Sequence, residues 1–474
     1  MKGEVVMKTL LRFLVSSLLV SALAGIAEAK VKPKNLGSVN QTQLSIAIDR
    51  AGFPHIAYQG ADRHLYHARF DGRTWQRELV DVSQYYGNAM AIDSQGRIHI
   101  VYGAERISGG TGNYPLVHAY FDGTHWQVTD LPISGHNPRI ALDAQDHPHV
   151  LHSFSSGYAV HDGTNWHFEN TGLDGSWYSD GLVLDADGKA HVAYSVSYSG
   201  CFHATNKSGS WETTLLTPIA GGAATAIGLD HAGKPHVVVG IGGALVSYTY
   251  DGSSWTNQMI VDFNDVDPSI HANVDTRLAM VTDSQGRAQI VVPISLSSGN
   301  RYAEVAVFVY GDGTGWNAVL VDGKNTGFYP SIALDANDVA HVAYCGPLIR
   351  DRYSKAKWAR IDLPDLTGAW MNVAVAGTTV TGALTVTNHG TDKSSKTTAT
   401  LWLSDDATPG DGDTLLPVTL KIKSLRPGSS VTIPVSFQYG GSLTGKHLIA
   451  VIDPDIANAD RNRVDNAVAI SLGP

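Results

Sequence analysis

The sequence predicts an all-β protein, and three observations lead to that fold class. A short cassette, made of two apolar runs joined by a turn, recurs seven times along the chain. The tail after the last copy has no repeat, but apolar and polar residues alternate in it as they do in strands. Neither part shows the periodicity of an amphipathic helix. Because about four short strands per repeat are typical of a β-propeller, we expect a seven-bladed β-propeller followed by an immunoglobulin-like β-sandwich.

The clearest copy of the cassette is PSIALDANDVAHVAY, from Pro330 to Tyr344. An aspartate ends the first apolar run of each copy, at spacings of 42 to 53 residues. The seven cassette aspartates are Asp49, Asp93, Asp143, Asp185, Asp230, Asp283 and Asp335. We interpret the first run as strand A of a blade, the second as strand B, and the next two stretches as strands C and D. Strand A, the most uniformly apolar, is predicted to lie nearest the central channel, and strand D at the rim.

An Asp-Gly pair separates strands C and D in most copies, as at Asp71 and Gly72, and predicts a hairpin turn of type I′. A tryptophan begins strand D in six copies, which predicts packing between blades. These tryptophans are Trp75, Trp126, Trp166, Trp211, Trp255 and Trp316. The seventh copy lacks this strand, and the unassigned segment Val31–Val39 stands just before the first strand A. We therefore expect this segment to complete blade seven and close the ring.

Three segments are expected along the chain. Residues 1–29 have the pattern of a secretory signal peptide, with the basic residues Lys8 and Arg12, the apolar run Phe13–Ile26 and a small-residue cleavage site at Ala27–Ala29. The propeller is expected over residues 30–363 and the sandwich over residues 364–474. No later apolar run is long enough to span a bilayer, so we expect a secreted or periplasmic protein without membrane insertion.

The charge of the chain bears on its partners. It carries 34 lysines and arginines against 44 aspartates and glutamates, a formal net charge of −10. This balance argues against nucleic acid as a partner, because nucleic acids are bound by basic surfaces. The two cysteines, Cys201 and Cys345, fall in the fourth and seventh copies. Blades that far apart in a ring should not be joined by a disulfide. A monomer is expected.

The cassette, together with its Asp-Gly-x-x-Trp turn, resembles the repeats of secreted bacterial propellers related to BNR/Asp-box proteins. The usual Asp-box keeps one residue between Asp and Gly, so the turns of this chain look like a shortened form. The resemblance covers residues 31–363 and implies the propeller fold. Sialidases carry such boxes, and so do non-enzymatic lectins and receptors. We cannot place the arginine triad and the tyrosine nucleophile of sialidases on this sequence, so no catalytic residue is assigned.

The tail resembles CARDB domains, an immunoglobulin-like module of bacterial surface and secreted proteins. The matching pieces are VTNHGT (Val386–Thr391), LWLSDD (Leu401–Asp406), LRPG (Leu425–Gly428) and VIDPD with DNAV (Val451–Val468). The family usually has glutamate-rich residues and an Asn-Asn pair near its end, where this chain has Asp465-Asn466. The resemblance implies an adhesion or spacer role and no catalysis.

Candidate binding residues lie where the copies differ, because the shared positions build the fold. The D–A and B–C loops emerge on the same edge of a propeller, beside the channel mouth. Here they carry aromatic and basic residues suited to the rings, hydroxyls and carboxylates of sugars. The ligand-binding candidates are Tyr86, Arg106, His136, Trp177, Tyr178, Arg277, Arg301, Tyr329 and Arg350. The alternative is ordinary loop decoration, in which these side chains pack on neighbouring blades.

Two other sets of residues could suggest metal. A histidine opens strand B in six copies, but one per blade is too widely spaced to share an ion, so we expect hydrogen bonds local to each turn. These histidines are His55, His99, His149, His191, His236 and His341. A tail loop gathers Asp405, Asp406, Asp411 and Asp413, whose oxygens could hold calcium. A solvated turn is the alternative, and no other cofactor is expected.

The function expected from these observations is non-catalytic binding of a glycan or a cell-surface protein. The absence of an identifiable nucleophile or metal motif favours a binding protein over an enzyme. The alternative is a propeller glycoside hydrolase or polysaccharide lyase acting on an extracellular polysaccharide. Such enzymes assemble carboxylates, His, Tyr and Arg from several blades, and the loop edge carries these residue types.

Overall fold

The structure of the protein is a computed structural model. It describes residues 34–473 except 41–42, 85–86, 109–110, 114, 136, 153–156, 174–177, 220, 266–270, 275–276, 299–300, 323–327 and 347–352. The expected signal peptide lies outside the described residues. In the part that is described, no helix is long and apolar enough to cross a membrane.

The chain begins with β1 (Lys34–Asn40) and then builds its blades in sequence order. Blade one contains β2 (Ser45–Ile48), β3 (Pro54–Gln59), β4 (Leu65–Phe70) and β5 (Trp75–Asp81). Blade two contains β6 (Asn88–Ile92), β7 (Ile98–Gly103), β10 (Pro115–Phe121) and β11 (Trp126–Ser134), with the inserted hairpin β8 (Arg106–Ser108) and β9 (Thr111–Asn113). Blade three contains β12 (Arg139–Leu142), β13 (Pro148–His152), β14 (Gly157–His161) and β15 (Trp166–Asn170).

The remaining blades follow the same plan. Blade four contains β16 (Tyr178–Leu184), β17 (Ala190–Val196), β18 (Gly200–Thr205) and β19 (Glu212–Pro218). Blade five contains β20 (Ala224–Leu229), β21 (Pro235–Ile241), β22 (Ala244–Tyr250) and β23 (Trp255–Asp262). Blade six contains β24 (His271–Val274), β25 (Ala279–Thr282), β26 (Ala288–Ser298), β27 (Arg301–Gly311) and β28 (Trp316–Asp322). Blade seven contains β29 (Phe328–Leu334), β30 (Ala340–Cys345), β31 (Tyr353–Ile361) and, as its outer strand, β1.

These sheets form a closed seven-bladed β-propeller, as the repeat predicts. The A strands of neighbouring blades contact one another all the way round, and the ring closes where β29 meets β2. The B strands β3, β7, β13 and β30 are buried along their whole length. Strand D is the most exposed, so the predicted order from A at the channel to D at the rim is confirmed.

Ring closure uses the segment before the first blade. Strand β1 pairs antiparallel with β31, from Lys34 opposite Trp358 to Asn40 opposite Tyr353. Val39 is buried, and it packs in the core cluster shared by blades seven and one. The predicted completion of blade seven is therefore confirmed over Lys34–Asn40.

The C–D turns differ from the predicted type I′ geometry. In blade one Phe70 pairs with Trp75, so four residues form the loop, and the Asp71 N–H donates to the Thr74 carbonyl over 3.1 Å. Gly72 has φ 92°, but Asp71 does not share its positive φ, as a type I′ turn would require. The Asp71 carboxylate instead accepts the N–H groups of Arg73 and Thr74, at 2.8 and 2.7 Å. Side-chain capping of the wider loop replaces the tight turn.

The tail folds as an immunoglobulin-like sandwich of two sheets. One sheet contains β32 (Leu366–Ala376), β33 (Thr379–Asn388) and β36 (Ser430–Gln438). The other contains β35 (Thr414–Ile422), β34 (Thr397–Ser404), β37 (His447–Ile452) and β38 (Ala467–Ser471), with a 3₁₀ turn at Arg463–Asn466. Leucine, isoleucine and valine side chains of both sheets share one core. By packing, this unit takes in Asp362 onward and also Tyr310–Val319.

Candidate functional site

The predicted loop-edge residues are only partly described. Tyr86, His136, Trp177 and Arg350 lie outside the described residues. Arg106, Tyr178 and Arg301 are the first residues of β8, β16 and β27, which places their backbones at the loop edge. The structure describes the backbones of these three residues but not their side chains. The remaining two candidates, Arg277 and Tyr329, are described in full.

Arg277 and Tyr329 come together, although 52 positions separate their numbers in the chain. The Arg277 guanidinium lies over the Tyr329 ring, 4.1 Å from its centre. This is a cation–π contact between the D–A connections of blades six and seven. Tyr329 has φ 53°, in the left-handed region, and the register of β29 with β30 shifts between Phe328 and Ser331. A bulky residue held in this conformation is strained, and such strain is concentrated at functional positions.

The loop edge beside this pair is built up by an inserted strand. In blade six, β24 pairs with the far end of β26, from His271 opposite Ser297 to Val274 opposite Ile294. The Asn264 side chain accepts the Ala272 N–H over 2.8 Å, which fixes the start of the inserted strand. The insertion thus has its own hydrogen-bonded scaffold and leads directly into Arg277.

One exposed aromatic at the loop edge was missed by the sequence analysis. Tyr198 is 82% exposed, in the turn between strands B and C of blade four, with φ 60°. It lies in a short B–C hairpin of blade four. The run Tyr198-Ser199-Gly200, an aromatic in a tight turn, is the signal that could have found it.

The recurring histidines do not tie the A–B turns by hydrogen bonds as predicted, except that His55 contacts Asp49 over 3.4 Å. In five blades the histidine contacts strand C instead. His55, His99 and His191 contact a second histidine on strand C, at 2.8, 3.1 and 3.1 Å between Nδ1 and Nε2. His149 contacts the Tyr158 hydroxyl instead, and His236 the Ser247 hydroxyl. Burial lowers the pKa of these imidazoles, to about 4 for His55, His236 and His341. The buried rings are therefore neutral at physiological pH.

The tryptophans that begin strand D pack on the preceding blade, as predicted. Trp126 lies against His67 of blade one, with 5.7 Å between ring centres, and Trp166 against His118 of blade two at 5.3 Å. Trp211 and Trp255 contact Tyr158 and His203 in the same way. The shared residues of the repeat therefore link blades, which leaves ligand binding to the positions that differ.

The acidic tail loop is organised by protein donors. Asp405 pairs with the Lys446 ammonium over 2.6 Å. Asp406 accepts the Thr408 N–H, and Asp413 the Gly410 N–H, both at 2.8 Å. Across the described residues, no group of three or more His, Cys, Asp and Glu side chains is arranged to hold a metal ion.

A cleft at the opposite edge of the propeller was not predicted. It lies between blades one and two, among their A–B and C–D turns, and has a volume of about 670 Å³. Its polar lining includes Asp49, Arg50, Arg69, Gln76 and Glu78. Ala51, Ile98 and Phe121 supply apolar surface. The concentration of arginines in the first repeat is the sequence signal that could have located it.

A chain of four polar side chains forms one wall of this cleft. Glu78 contacts His67 Nδ1 over 2.8 Å, His67 Nε2 contacts His55 Nδ1 over 2.8 Å, and His55 Nε2 lies 3.4 Å from Asp49. If each imidazole carries one N–H proton, the two protons satisfy two of these three contacts. The two short contacts take them: His67 donates to Glu78 and His55 donates to His67. Arg69 supplies the proton for Asp49 instead, over 2.9 Å.

The hydrogen bond from His67 lowers the pKa of Glu78, so this half-exposed carboxyl is ionised and aligned at the cleft. For Asp49, burial raises the pKa, but the hydrogen bonds from the Phe53 N–H and Arg69 outweigh it and lower the pKa overall. The cleft therefore presents a fixed carboxylate beside guanidinium groups. This arrangement suits hydrogen bonding to a polar ligand.

Comparison with known proteins identifies the family of the tail. Residues 363–470 match the CARDB family. No curated protein sequence matches the chain. Similar solved structures include a virginiamycin B lyase from Staphylococcus aureus with quinupristin, at 12% identity and a TM-score of 0.47, covering 70% of this chain and 99% of that one. A fungal alcohol oxidase in complex with copper has 11% identity and a TM-score of 0.47, with 94% and 100% covered.

A lectin of Aleuria aurantia in complex with Fucα1-6GlcNAc is also similar, at 16% identity and a TM-score of 0.39, covering 60% of this chain and 96% of the lectin. These proteins differ in what they bind or catalyse. The likeness concerns the β-propeller architecture alone and does not single out an activity.

Proposed function

We propose that the protein is a secreted, monomeric binding protein that does not catalyse a reaction and recognises a glycan or a cell-surface protein at the loop edge of its propeller. The observation that carries this proposal is the Arg277–Tyr329 pair, a guanidinium stacked on a tyrosine ring in loops where the repeats differ. A preformed aromatic and cationic surface suits sugar rings and their hydroxyls or carboxylates.

The CARDB match supports an extracellular setting, because the module resembled here is found on bacterial surface and secreted proteins. In such a protein the sandwich would act as an adhesion or spacer unit, and the propeller would present the binding surface. The signal-like pattern of residues 1–29 agrees with export.

Variants of the Arg277–Tyr329 pair test the location of the site. Binding of wild type to an array of immobilised glycans and bacterial envelope proteins identifies the ligand, and its affinity is then measured for Arg277→Ala and Tyr329→Ala. Loss of a central anchoring aromatic costs about 2 kcal/mol or more, which is roughly thirtyfold in affinity. Both variants should show a loss of this order while melting like wild type.

Two control variants remove the same kinds of side chain, an arginine and an aromatic residue, at exposed positions away from the loop edge. Arg73 is exposed in the C–D turn of blade one, and Phe168 is 38% exposed on the rim strand of blade three. Arg73→Ala and Phe168→Ala should bind the ligand as wild type does. Wild-type affinity in Arg277→Ala and Tyr329→Ala would show that the loop edge of blades six and seven is not the site.

A further inference from the structure

We propose that the cleft between blades one and two is a second binding site, which takes a saccharide unit carrying a carboxylate. The cleft lies at the edge formed by the A–B and C–D turns, opposite the loop edge that holds Arg277 and Tyr329. Its residues are separate from those of the loop edge, so the two proposals stand or fall independently.

The A–B turns of blades one and two lack a side-chain bridge that two other pairs of neighbouring blades have. Between blades two and three, the Ser94 hydroxyl donates to Asp146 over 2.5 Å, and between blades six and seven Ser284 donates to Asp338 over 2.6 Å. The position of Asp146 in the cassette is Gly96 in blade two. A Cβ added at Gly96 would meet no heavy atom of the described chain within 4 Å. Blade two therefore leaves open space where blade three closes the gap.

Two of the three arginines of the cleft, Arg50 and Arg77, occur at positions where no other blade has a basic residue of the same kind. Arg50 follows the cassette aspartate, and the residues at that position in the other blades are Ser94, Ala144, Ala186, His231, Ser284 and Ala336. Arg77 stands two residues after the strand D tryptophan, where the other blades have Val128, Phe168, Thr213, Asn257 and Ala318. Arg69 has one counterpart, Arg360 of blade seven, opposite the strand B histidine. Residues that depart from the repeat are the ones available for binding.

The charge of the lining favours a ligand with a single negative charge. Arg50, Arg69 and Arg77 face two carboxylates, Asp49 and Glu78, so these five side chains together carry one positive charge. Arg69 is paired with Asp49, and Arg77 is held over the Tyr66 ring at 3.5 Å from its centre. Arg50 is exposed at the cleft and is the group best placed to meet a carboxylate.

Glu78 narrows the ligand class further. Its carboxylate only accepts hydrogen bonds, and a purely anionic ligand such as an acidic peptide side chain has no donor to offer it. A sugar hydroxyl supplies that donor. The apolar surface of Ala51 and Phe121 suits the C–H face of a sugar ring. A carboxylate together with hydroxyl donors on a ring describes a uronic acid, and the cleft has the volume of a small-ligand site.

A charged probe and its uncharged counterpart test this assignment. Trigalacturonate and its fully methyl-esterified form share rings and hydroxyls but differ in charge. Calorimetric titration of the mature chain should give an affinity at least tenfold higher for the acid, because a charge-assisted hydrogen bond is lost with the ester. The affinity for the acid should fall as salt is raised.

Variants then locate the binding. Arg50→Ser gives blade one the residue that blade two carries and should weaken trigalacturonate binding about tenfold or more. Arg73→Ser removes the same charge from an exposed turn outside the cleft and should leave trigalacturonate binding unchanged. Equal affinity for acid and ester, no binding of either, or full affinity in Arg50→Ser would each overturn the proposal. Binding of a hexaglutamate peptide without trigalacturonate would also overturn it, in favour of a peptide ligand.

Discussion

At the residue scale, the most repeated polar side chains hold the backbone turns of the blades. In blade two the Asp93 carboxylate accepts the N–H groups of Gln95 and Arg97, at 2.9 and 2.8 Å. The cassette aspartates of the other six blades accept the equivalent pair of N–H groups. Each such bond satisfies an N–H group that would otherwise lack a partner in the turn. Aspartate recurs because no apolar residue could do this.

Because several histidines of the blades are buried, the free energy of unfolding should depend on pH. Burial lowers the pKa of His118 and His203 to about 3 and of His55 to about 4, below the ordinary value of 6.5. The unfolded chain then binds more protons than the folded chain between pH 6.5 and about 4. The free energy of unfolding should therefore fall as the pH falls through this window, by on the order of a few kcal/mol per histidine.

Melting temperatures between pH 7 and 4.5 check this dependence. His203→Ser introduces the residue that blade five carries as Ser247, whose hydroxyl pairs with His236 over 2.7 Å. The variant should melt below wild type at pH 7, because Trp255 loses its ring contact, and the difference should shrink as the pH falls. His125→Ser, on an exposed turn, should follow the wild-type profile. If the difference in melting temperature between wild type and His203→Ser stayed constant with pH, the lowered pKa of His203 in the folded protein would be contradicted.

At the element scale, ring closure depends on one strand from the start of the chain. Val39 of β1 is 1% exposed and packs with Leu44, Ile46 and Trp358. Val39→Ala should lower the free energy of unfolding by about 1–3 kcal/mol through lost burial and the cavity left behind. Deletion of Lys34–Asn40 should lower the melting temperature further, because it exposes the edge of β31.

Val82 provides the matched control for this strand. It is 63% exposed after strand D of blade one, so Val82→Ala should melt within about a degree of wild type. Thermal unfolding of wild type and the three variants, followed by circular dichroism, gives the comparison. A deletion that melts like the intact chain would mean that β1 contributes nothing to closure.

At the scale of the whole molecule, the propeller could be predicted from the sequence because the pattern of one blade is repeated seven times. The cassette aspartate, the strand B histidine and the strand D tryptophan each have one structural task per blade, so a pattern common to the copies predicts the sheet order and the contacts between blades. The closing strand followed from counting, since one strand D was missing and one segment was unassigned.

The cleft escaped prediction for a physical reason. It depends on how Arg50, His67 and Glu78 come together from different strands and turns, and this arrangement is not visible as a sequence motif. The prediction of a type I′ turn between strands C and D was also wrong. The Asp71 side chain caps a wider loop, and an Asp-Gly pair is compatible with both geometries. Arg277 and Tyr329 were each predicted as binding residues. Their contact with each other follows only from the folded propeller, in which blades six and seven are neighbours.

The central claim is that the propeller binds its ligand without converting it. The measurement that tests this most directly follows one glycan sample in two ways, by the amount bound to the protein and by the number of reducing ends and unsaturated ends over time. The account predicts saturable binding that Tyr329→Ala weakens, with no change in chain ends over many hours. Release of new ends by wild type, abolished in Tyr329→Ala, would contradict the account and identify a glycoside hydrolase or polysaccharide lyase.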